Sequence, residues 1–417
     1  MATRIPVELI FHIIGFLQDS KAALSACSLC CSAMATVSRP LLFHTLRTGL
    51  DSGAADRFEC LLESGPDVLA LIRRIDVAIP TLQLVANQRA VAAVSQIMAS
   101  HRIQDTPPTL RIAIRPVGLR LHRFGQLLLS RLDPAGHWVT SLELGQLDFT
   151  GDVQFWDLVL AFPKLKSLIL GCVNVEERVR TPSHRGSEIS HITLKGPALD
   201  GSSNICWLLV DYPLPLPSLT SLDVRFPMVL SRALIRFGEV YGPAVRTLSL
   251  GTVSVLYPKI IWNKLACDAR KFRVIDPVCY TALIPLVKAT TEFISKFSNL
   301  QTLTFRGLFA SRVPVRRSHL AFEWIPAALS GVSPTVRKLT MEVIAGHLSY
   351  LDIIPWSAID ERLAHQLQSV TIVEILLATP VGVNYLLENV RQEMRKRLPL
   401  AAQRGVLRCF AVADHPM

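Results

Sequence analysis

The sequence predicts an α/β protein in which a small N-terminal helical module is followed by an irregular solenoid of parallel strands and helices. Two observations predict this class. One apolar spacing, apolar-x-x-apolar-x-apolar, recurs along most of the 417 residues. Segments with helical patterning separate many of its copies, and repeated strand-then-helix order is typical of parallel sheets with helical crossovers. Half of the residues are apolar, which is enough for a large domain and a small one.

The beginning of the chain predicts two or three short helices. Pro6 suits a first helical turn, because its fixed φ matches the helix and its missing N–H would have no partner there. Glu8 is favourable near the positive end of the helix. Leu9, Ile13 and either Phe16 or Leu17 fall on one face at helical spacing. A module of this size cannot bury all of its apolar surface alone, so the surplus must contact the rest of the chain or another protein.

Local signals divide this module and separate it from the remainder of the chain. Asp19 or Ser20 can cap the second helix. A short polar break over residues 48–53 is a linker candidate. We therefore expect a helical module over residues 1–47 and a repeat region over residues 48–417.

The recurring spacing predicts one strand in each copy, because its last two apolar positions alternate as a half-buried strand requires. The copies are Ile72-x-x-Ile75-x-Val77, Val139-x-x-Leu142-x-Leu144, Leu165-x-x-Leu168-x-Leu170, Ile189-x-x-Ile192-x-Leu194, Leu219-x-x-Leu222-x-Val224, Val245-x-x-Leu248-x-Leu250, Leu300-x-x-Leu303-x-Phe305, Val336-x-x-Leu339-x-Met341, Leu367-x-x-Val370-x-Ile372 and Leu407-x-x-Phe410-x-Val412. A poorer copy is Ala269-x-x-Phe272-x-Val274, and Leu110-x-Ile112-x-Ile114 predicts an early strand.

Helical patterning lies between the copies, and it decides how they are interpreted. The helical segments are residues 82–98, 119–132, 153–162, 229–240, 283–297 and 383–398. A repeat that cannot bury its own face stacks on its neighbour, so the pattern favours a solenoid. The alternative is an ordinary α/β domain whose strands simply follow short helices.

The N-terminal module resembles an F-box, the helical module that docks onto a Skp-type adaptor of a cullin-RING ubiquitin ligase. The family opening Leu-Pro-x-Glu-Leu-Ile is matched by Ile5-Pro6-Val7-Glu8-Leu9-Ile10. The middle Ala26-Cys27-Ser28-Leu29 and the close Arg39-Pro40-Leu41-Leu42-Phe43 resemble the F-box of many proteins from mushroom-forming fungi. Ser32 and Met34 stand where the family often has Arg and Trp, and Met fills less area than an aromatic ring. The alternative is an N-terminal helical cap on a larger core.

The resemblance implies which residues would bind the adaptor. They are Ile5, Pro6, Glu8, Leu9, Ile13, Leu24, Leu29, Pro40, Leu42 and Phe43. The repeat region in turn resembles a degenerate leucine-rich repeat array, which accompanies the F-box in such fungal proteins. Its copies are longer and less even than the strict repeat, and Cys172 is the nearest match to the Asn or Cys that usually follows the strand.

Composition favours a reducing cellular compartment, the cytoplasm or the nucleus. The nine cysteines have no paired framework spacing, and the sequence holds no Asn-x-Ser/Thr acceptor. The longest stretch without charge, residues 22–38, is too short and too polar to span a bilayer. We therefore expect no membrane partner.

No pattern in the sequence predicts catalysis, a cofactor or a metal. The phosphate-binding, dinucleotide-binding, zinc-protease and nucleophile-elbow motifs are all missing from the sequence. Cys27, Cys30 and Cys31 lack the second ligand pair of a zinc site, and we expect them at core positions of a helix. The sequence therefore predicts a protein that is not an enzyme.

The positive charge is concentrated in one segment. Residues 225–317 hold 15 Lys and Arg against 4 Asp and Glu, a difference of +11 that equals the net charge of the whole chain. In a solenoid, Arg246, Arg273 and Arg306 can line the concave surface. Arginine pairs with carboxylate and phosphate, so an acidic or phosphorylated protein partner is one interpretation. A solvated basic surface and a nucleic-acid site are the alternatives.

Three functions remain open at this stage. The resemblance implies a non-catalytic substrate-receptor subunit of a ubiquitin ligase, with the adaptor on the helices and a target protein on the repeats. The second is an interaction scaffold that recruits no ligase. The third is a basic repeat protein that binds nucleic acid, for which binding should fall steeply with salt.

Overall fold

The structure is a computed structural model that shows an α/β fold with parallel strands and N-terminal helices. It describes residues 7–17, 20–49, 60, 71, 74–78, 109–114, 119–120, 139–160, 162–177, 188–195, 209, 216, 218–225, 232–251, 288–310, 322, 324–345, 347–378 and 387–412. The chain divides into two compact units, residues 1–182 and 183–417. The predicted boundary after residue 47 stays a prediction.

The first unit begins with three helices and continues with strands. The helices are α1 (Val7–Gly15), α2 (Lys21–Cys30) and α3 (Ser32–Phe43). The strands are β1 (Thr45–Gly49), β2 (Arg74–Ala78), β3 (Thr109–Ile114), β4 (Leu119–Arg120), β5 (Ser141–Gly151) and β6 (Ser167–Glu177), with α4 (Asp152–Leu160) between the last two. They pair in parallel in the order β1-β2-β3-β5-β6, and β4 pairs with β5.

The second unit repeats strand and helix. Its strands are β7 (His191–Lys195), β8 (Ser221–Arg225), β9 (Thr247–Gly251), β10 (Thr302–Ala310), β11 (Lys338–Ala345), β12 (Ile372–Ala378) and β13 (Leu407–Val412). They pair in parallel in chain order. Its helices are α5 (Arg232–Tyr241), α6 (Trp324–Ser330), α7 (Trp356–His365), α8 (Leu387–Arg397) and α9 (Pro399–Gln403), with a 3-10 helix at Leu348–Ile353 and helical residues 288–295.

One backbone arrangement joins six of the described repeats to the next repeat. The carbonyl of Arg246 accepts hydrogen bonds from the N–H groups of Gln301 at 2.8 Å and Thr302 at 3.0 Å. The same sharing of one carbonyl by two consecutive N–H groups recurs at Thr140, Ser190, Thr220, Gln301 and Arg337. The position is always the one after the first apolar residue of a copy, so the recurring spacing corresponds to a recurring backbone geometry.

The three apolar positions of most copies form the core. Leu222, Leu248 and Leu303, which occupy the middle position in neighbouring copies, are fully buried. Helices cover this apolar side locally, since α4 packs on β5 and α8 packs on β13. The residue between the last two apolar positions points the other way, which leaves a polar face on each strand.

The last two predicted copies are placed wrongly. Val373 and Ile375 on β12 pair with Leu339 and Met341, so the copy that aligns with its neighbour is Val370-x-x-Val373-x-Ile375, three residues later than Leu367-x-x-Val370-x-Ile372 predicts. On β13 the inward residues are Leu407 and Cys409, and Phe410 is exposed. In β12 and β13, apolar residues occur on both sides of the strand. The alternation of apolar and polar residues therefore cannot determine the register by itself.

The predicted helical segments, early strand and linker can be compared with the structure only where they lie within the described residues. Helical residues 153–162, 229–240, 283–297 and 383–398 are matched by α4, α5, residues 288–295 and α8. The strand predicted at 110–114 is β3. Residues 82–98, 269–274 and most of 119–132 lie outside the described residues, although 119–120 form a strand rather than a helix. The linker candidate at 48–53 begins inside β1.

Candidate functional site

The polar face of the second unit carries a row of aligned side chains. The register places the middle polar residue of each strand beside the next, giving Thr193, Asp223, Ser249, Thr304, Thr340 and Glu374. All but Glu374 are buried. Buried polar groups are stable only when they are hydrogen-bonded, so the contacts within this row decide what it can do.

Charged side chains occupy the next row. Lys195, Arg225, Gly251 and Arg306 are register neighbours on consecutive strands. A Cβ on Gly251 would lie 3.3 Å from Cγ of Arg225 and 3.6 Å from Cβ of Arg306. The aliphatic parts of two arginines therefore lie close to the backbone of Gly251, and a side chain at this position would crowd them. We call Asp223, Arg225, Gly251 and Arg306 the arginine gap.

One carboxylate oxygen holds both arginines of the gap. Oδ2 of Asp223 accepts hydrogen bonds from Nε of Arg225 at 3.0 Å and from Nη2 at 2.8 Å. It also accepts one from Nη1 of Arg306 at 3.3 Å, across the intervening strand β9. The other oxygen, Oδ1, is buried and has no hydrogen-bond partner among the described residues. Asp223 thus fixes two guanidinium groups with half of its acceptor capacity.

Arg306 is held less well than Arg225. Its register shifts at the following residue, Gly307, which has a φ of 65° that only glycine adopts freely. On the side of β11 its Nε lies 3.4 Å from Oε1 of Glu342, an ion pair in which Nε donates no hydrogen bond. Arg306 therefore makes one long hydrogen bond and keeps its side chain partly exposed. Most N–H groups of its guanidinium group donate no hydrogen bond within the described residues.

His191 borders the same site. Its Nδ1 lies 2.8 Å from Oγ of Ser221, and its Nε2 lies 2.9 Å from Oγ1 of Thr193. Burial lowers the pKa of His191; the carboxylate of Asp223 opposes this effect, and the charges of Arg306 and Arg225 add to it. The structure therefore favours the neutral imidazole.

The three arginines expected to line the concave surface are not together. Arg306 lies on the polar face of its strand. Arg246 precedes β9 and is exposed, and Arg273 lies outside the described residues. Sequence reasoning missed Asp223, Gly251 and His191. They occupy three different positions of their copies: Asp223 follows the middle apolar residue, Gly251 follows the last one, and His191 precedes the middle one.

The N-terminal helices form a second candidate surface. Their core is Ile14, Leu24 and Val37, with Ile10, Leu17, Cys27, Met34, Leu41 and Leu42 packed against it. Met34 thus fills part of this core. Ser20 caps α2 as predicted, since its side chain accepts a hydrogen bond from the N–H of Ala23 at 3.3 Å. Cys30 and Cys31 are exposed, so only Cys27 has the core position expected of all three.

α1 has two apolar faces. Ile10, Ile14 and Leu17 face the core. Leu9 is 52% exposed, Ile13 is 54% exposed and Phe16, in the following turn, is 76% exposed. Their spacing of four and three residues places them on one side, which we call the outer face of α1. Phe11 and Leu29 are also large, apolar and exposed.

The residues expected to bind an adaptor are distributed unevenly. Leu9, Ile13 and Leu29 are exposed, as are the polar Glu8 and the ring of Pro40. Leu42 and Phe43 are half-buried. Leu24 is 1% exposed and belongs to the core, so its side chain presents no surface to a partner. Ile5 and Pro6 lie outside the described residues.

The described residues contain no group of three His, Cys, Asp or Glu side chains that could hold a metal ion. No described helix is long and apolar enough to cross a membrane. In comparisons with known proteins, no family model matches the chain and no curated protein matches it.

Proposed function

We propose that the chain is a substrate-receptor subunit of a Skp/cullin/F-box type ubiquitin ligase. The observation that carries the proposal is the outer face of α1. A helix that is apolar on both sides needs a second partner, and its inner side is already used by the three-helix core. A clustered exposed apolar surface marks an interaction site. The resemblance of this module to an F-box supplies the identity of the partner, a Skp-type adaptor.

The repeat region would hold the target. The recurring spacing, together with the recurring shared carbonyl, supports a leucine-rich-repeat-like array whose polar face is available for a protein partner. In this proposal the chain supplies no catalytic group. It promotes ubiquitin transfer by holding the target near the catalytic subunits, in the cytoplasm or the nucleus.

Capture of a purified Skp-type adaptor by the purified full chain tests this proposal. Leu9→Asp and Ile13→Asp place a charge on the outer face of α1, where burial against a partner would cost several kcal/mol. We expect the wild type to capture the adaptor and each variant to lose at least about a hundredfold in affinity. Pro6→Ala combined with Leu9→Asp should behave in the same way.

Val240→Asp is the matched control, because Val240 is an exposed apolar residue on α5. It should bind the adaptor like the wild type, and all variants should keep the thermal unfolding of the wild type. If the folded wild type captures no adaptor, the receptor proposal fails. The chain would then be an interaction scaffold without a ligase.

A further inference from the structure

We propose that the arginine gap is the part of the repeat region that recognises a partner, and that it takes one carboxylate side chain from an acidic segment of a target protein. This inference rests on the proposed function for the role of that target. Binding of a carboxylate at the gap is independent of the adaptor.

Unused polar atoms concentrate at this place. Oδ1 of Asp223, Oγ of Ser249 and Nε of Arg306 are all buried without a hydrogen-bond partner among the described residues. Three such atoms on adjacent strands is a costly arrangement, because each forgoes a hydrogen bond with water. A ligand that draws the guanidinium group of Arg306 outward would let its Nε donate a hydrogen bond to water or to the ligand.

Arg306 is the side chain that can move. Its single hydrogen bond to Asp223 is 3.3 Å long, whereas Arg225 makes two at 3.0 Å or shorter. Exchanging this contact for a two-pronged hydrogen bond to an external carboxylate would replace a weak interaction with a strong one. Arg225 stays in place, because Asp223 keeps its own bidentate hold. Gly251 lies between them and adds no side chain that would displace either arginine.

Charge selects the kind of partner. The basic excess of the chain lies in residues 225–317, which include both arginines of the gap, so an acidic partner is attracted. Asp223 and Glu342 flank the gap and Glu374 lies further along the face. These fixed carboxylates repel a continuous polyanion and also a dianionic phosphate. A single carboxylate between the arginines meets the least repulsion.

Fluorescence anisotropy with the full chain and four labelled probes tests this inference. The probes are a Gly-Ser peptide with two glutamates, its glutamine analogue, its phosphoserine analogue and a short oligothymidylate. We expect saturable binding of the glutamate peptide and weaker binding of the other three. Arg306→Gln should weaken the glutamate peptide about tenfold, the effect of losing a charged hydrogen bond.

Two further variants separate the site from general charge. Arg246→Gln removes the same charge from the same segment, about 16 Å away along a strand at its usual rise. It should change the affinity less than twofold. Gly251→Val leaves the net charge unchanged and crowds Arg225 and Arg306, so it should weaken binding as much as Arg306→Gln does. Thermal unfolding confirms that each variant is folded.

Several results would overturn the inference: no saturable binding of the glutamate peptide, equal binding of the glutamine analogue, tighter binding of the phosphoserine peptide or the oligonucleotide, or equal losses for Arg246→Gln and Arg306→Gln. Adaptor capture, measured on the same proteins, is expected to be unchanged by Arg306→Gln. A wild type that binds the peptide but not the adaptor refutes the ligase role and leaves the carboxylate site standing.

Discussion

At Gly242 the surrounding backbone leaves no room for even one additional carbon atom. A Cβ there would lie 2.3 Å from the carbonyl oxygen of Gly238 and 2.6 Å from that of Lys296, both of them backbone atoms. We expect Gly242→Ala to destabilise the protein by about 3 kcal/mol in urea unfolding, because the backbone must move to admit the methyl group. Gly15→Ala is the control, since nothing lies within 4 Å of its added Cβ. It should not destabilise, because alanine favours the end of α1 more than glycine does. Equal effects would contradict this view of the packing.

A second residue joins two helices through its carboxylate. Asp360 on α7 is buried and accepts hydrogen bonds from the N–H groups of Leu400 at 2.8 Å and Ala401 at 2.9 Å, at the start of α9. Asp360→Ala leaves both donors without a partner. We expect it to lower the free energy of unfolding by about 1–3 kcal/mol. The free energy of unfolding of Asp360→Asn should lie between those of the wild type and Asp360→Ala, because the asparagine side chain has one acceptor oxygen instead of two. No loss in the alanine variant would show that water replaces the carboxylate.

At this scale the sequence was informative about residue type and less so about placement. Arg306 lies on the polar face of its strand, whereas Arg246 precedes its strand and Leu24 is inside the helical core. Apolar spacing defines the side of a strand, but it does not show where the strand begins or which apolar helix residue turns inward. The carboxylate of Asp223, which organises the arginines, carries no distinctive signal in one sequence.

At the scale of elements, helix α2 depends on its first residue. The side chain of Ser20 satisfies one N–H group that has no partner within the helix. Ser20→Ala should lower the free energy of unfolding by about 1 kcal/mol. Ser25→Ala is the control, because Ser25 is exposed inside the same helix and alanine is the better helix former. Urea denaturation measures both. A larger loss for Ser25→Ala would contradict the assignment of the cap.

The strands also show where apolar spacing is sufficient to predict their positions and where it is not. β5 to β11 follow the predicted spacing, since each begins at or next to the middle apolar position. β12 and β13 do not, because their sequences offer apolar residues on both sides and either register satisfies the pattern. The helices α6 and α7 were missed. Each is short and begins at a tryptophan, so tertiary packing rather than helical patterning defines them.

For the whole molecule, His191 makes stability depend on pH. Its pKa is lowered in the folded chain, so between that pKa and the ordinary value of about 6.5 the unfolded chain binds more protons. Stability should therefore fall as the pH drops below about 6.5. We expect the difference in melting temperature between pH 7 and pH 5 to shrink in His191→Gln. His365→Gln, a change of an exposed histidine on α7, should keep the wild-type difference. An unchanged difference in His191→Gln would contradict this role.

The chain-order pairing of β7 to β13 has a consequence for synthesis. Each strand pairs with the one made just before it, so a nascent chain needs no later segment to complete an earlier pair. This unit can fold during synthesis, because each new repeat adds to the one before it. The edge of a newly made strand is exposed only until the next repeat emerges. Any pause in synthesis before the next repeat emerges would prolong that exposure.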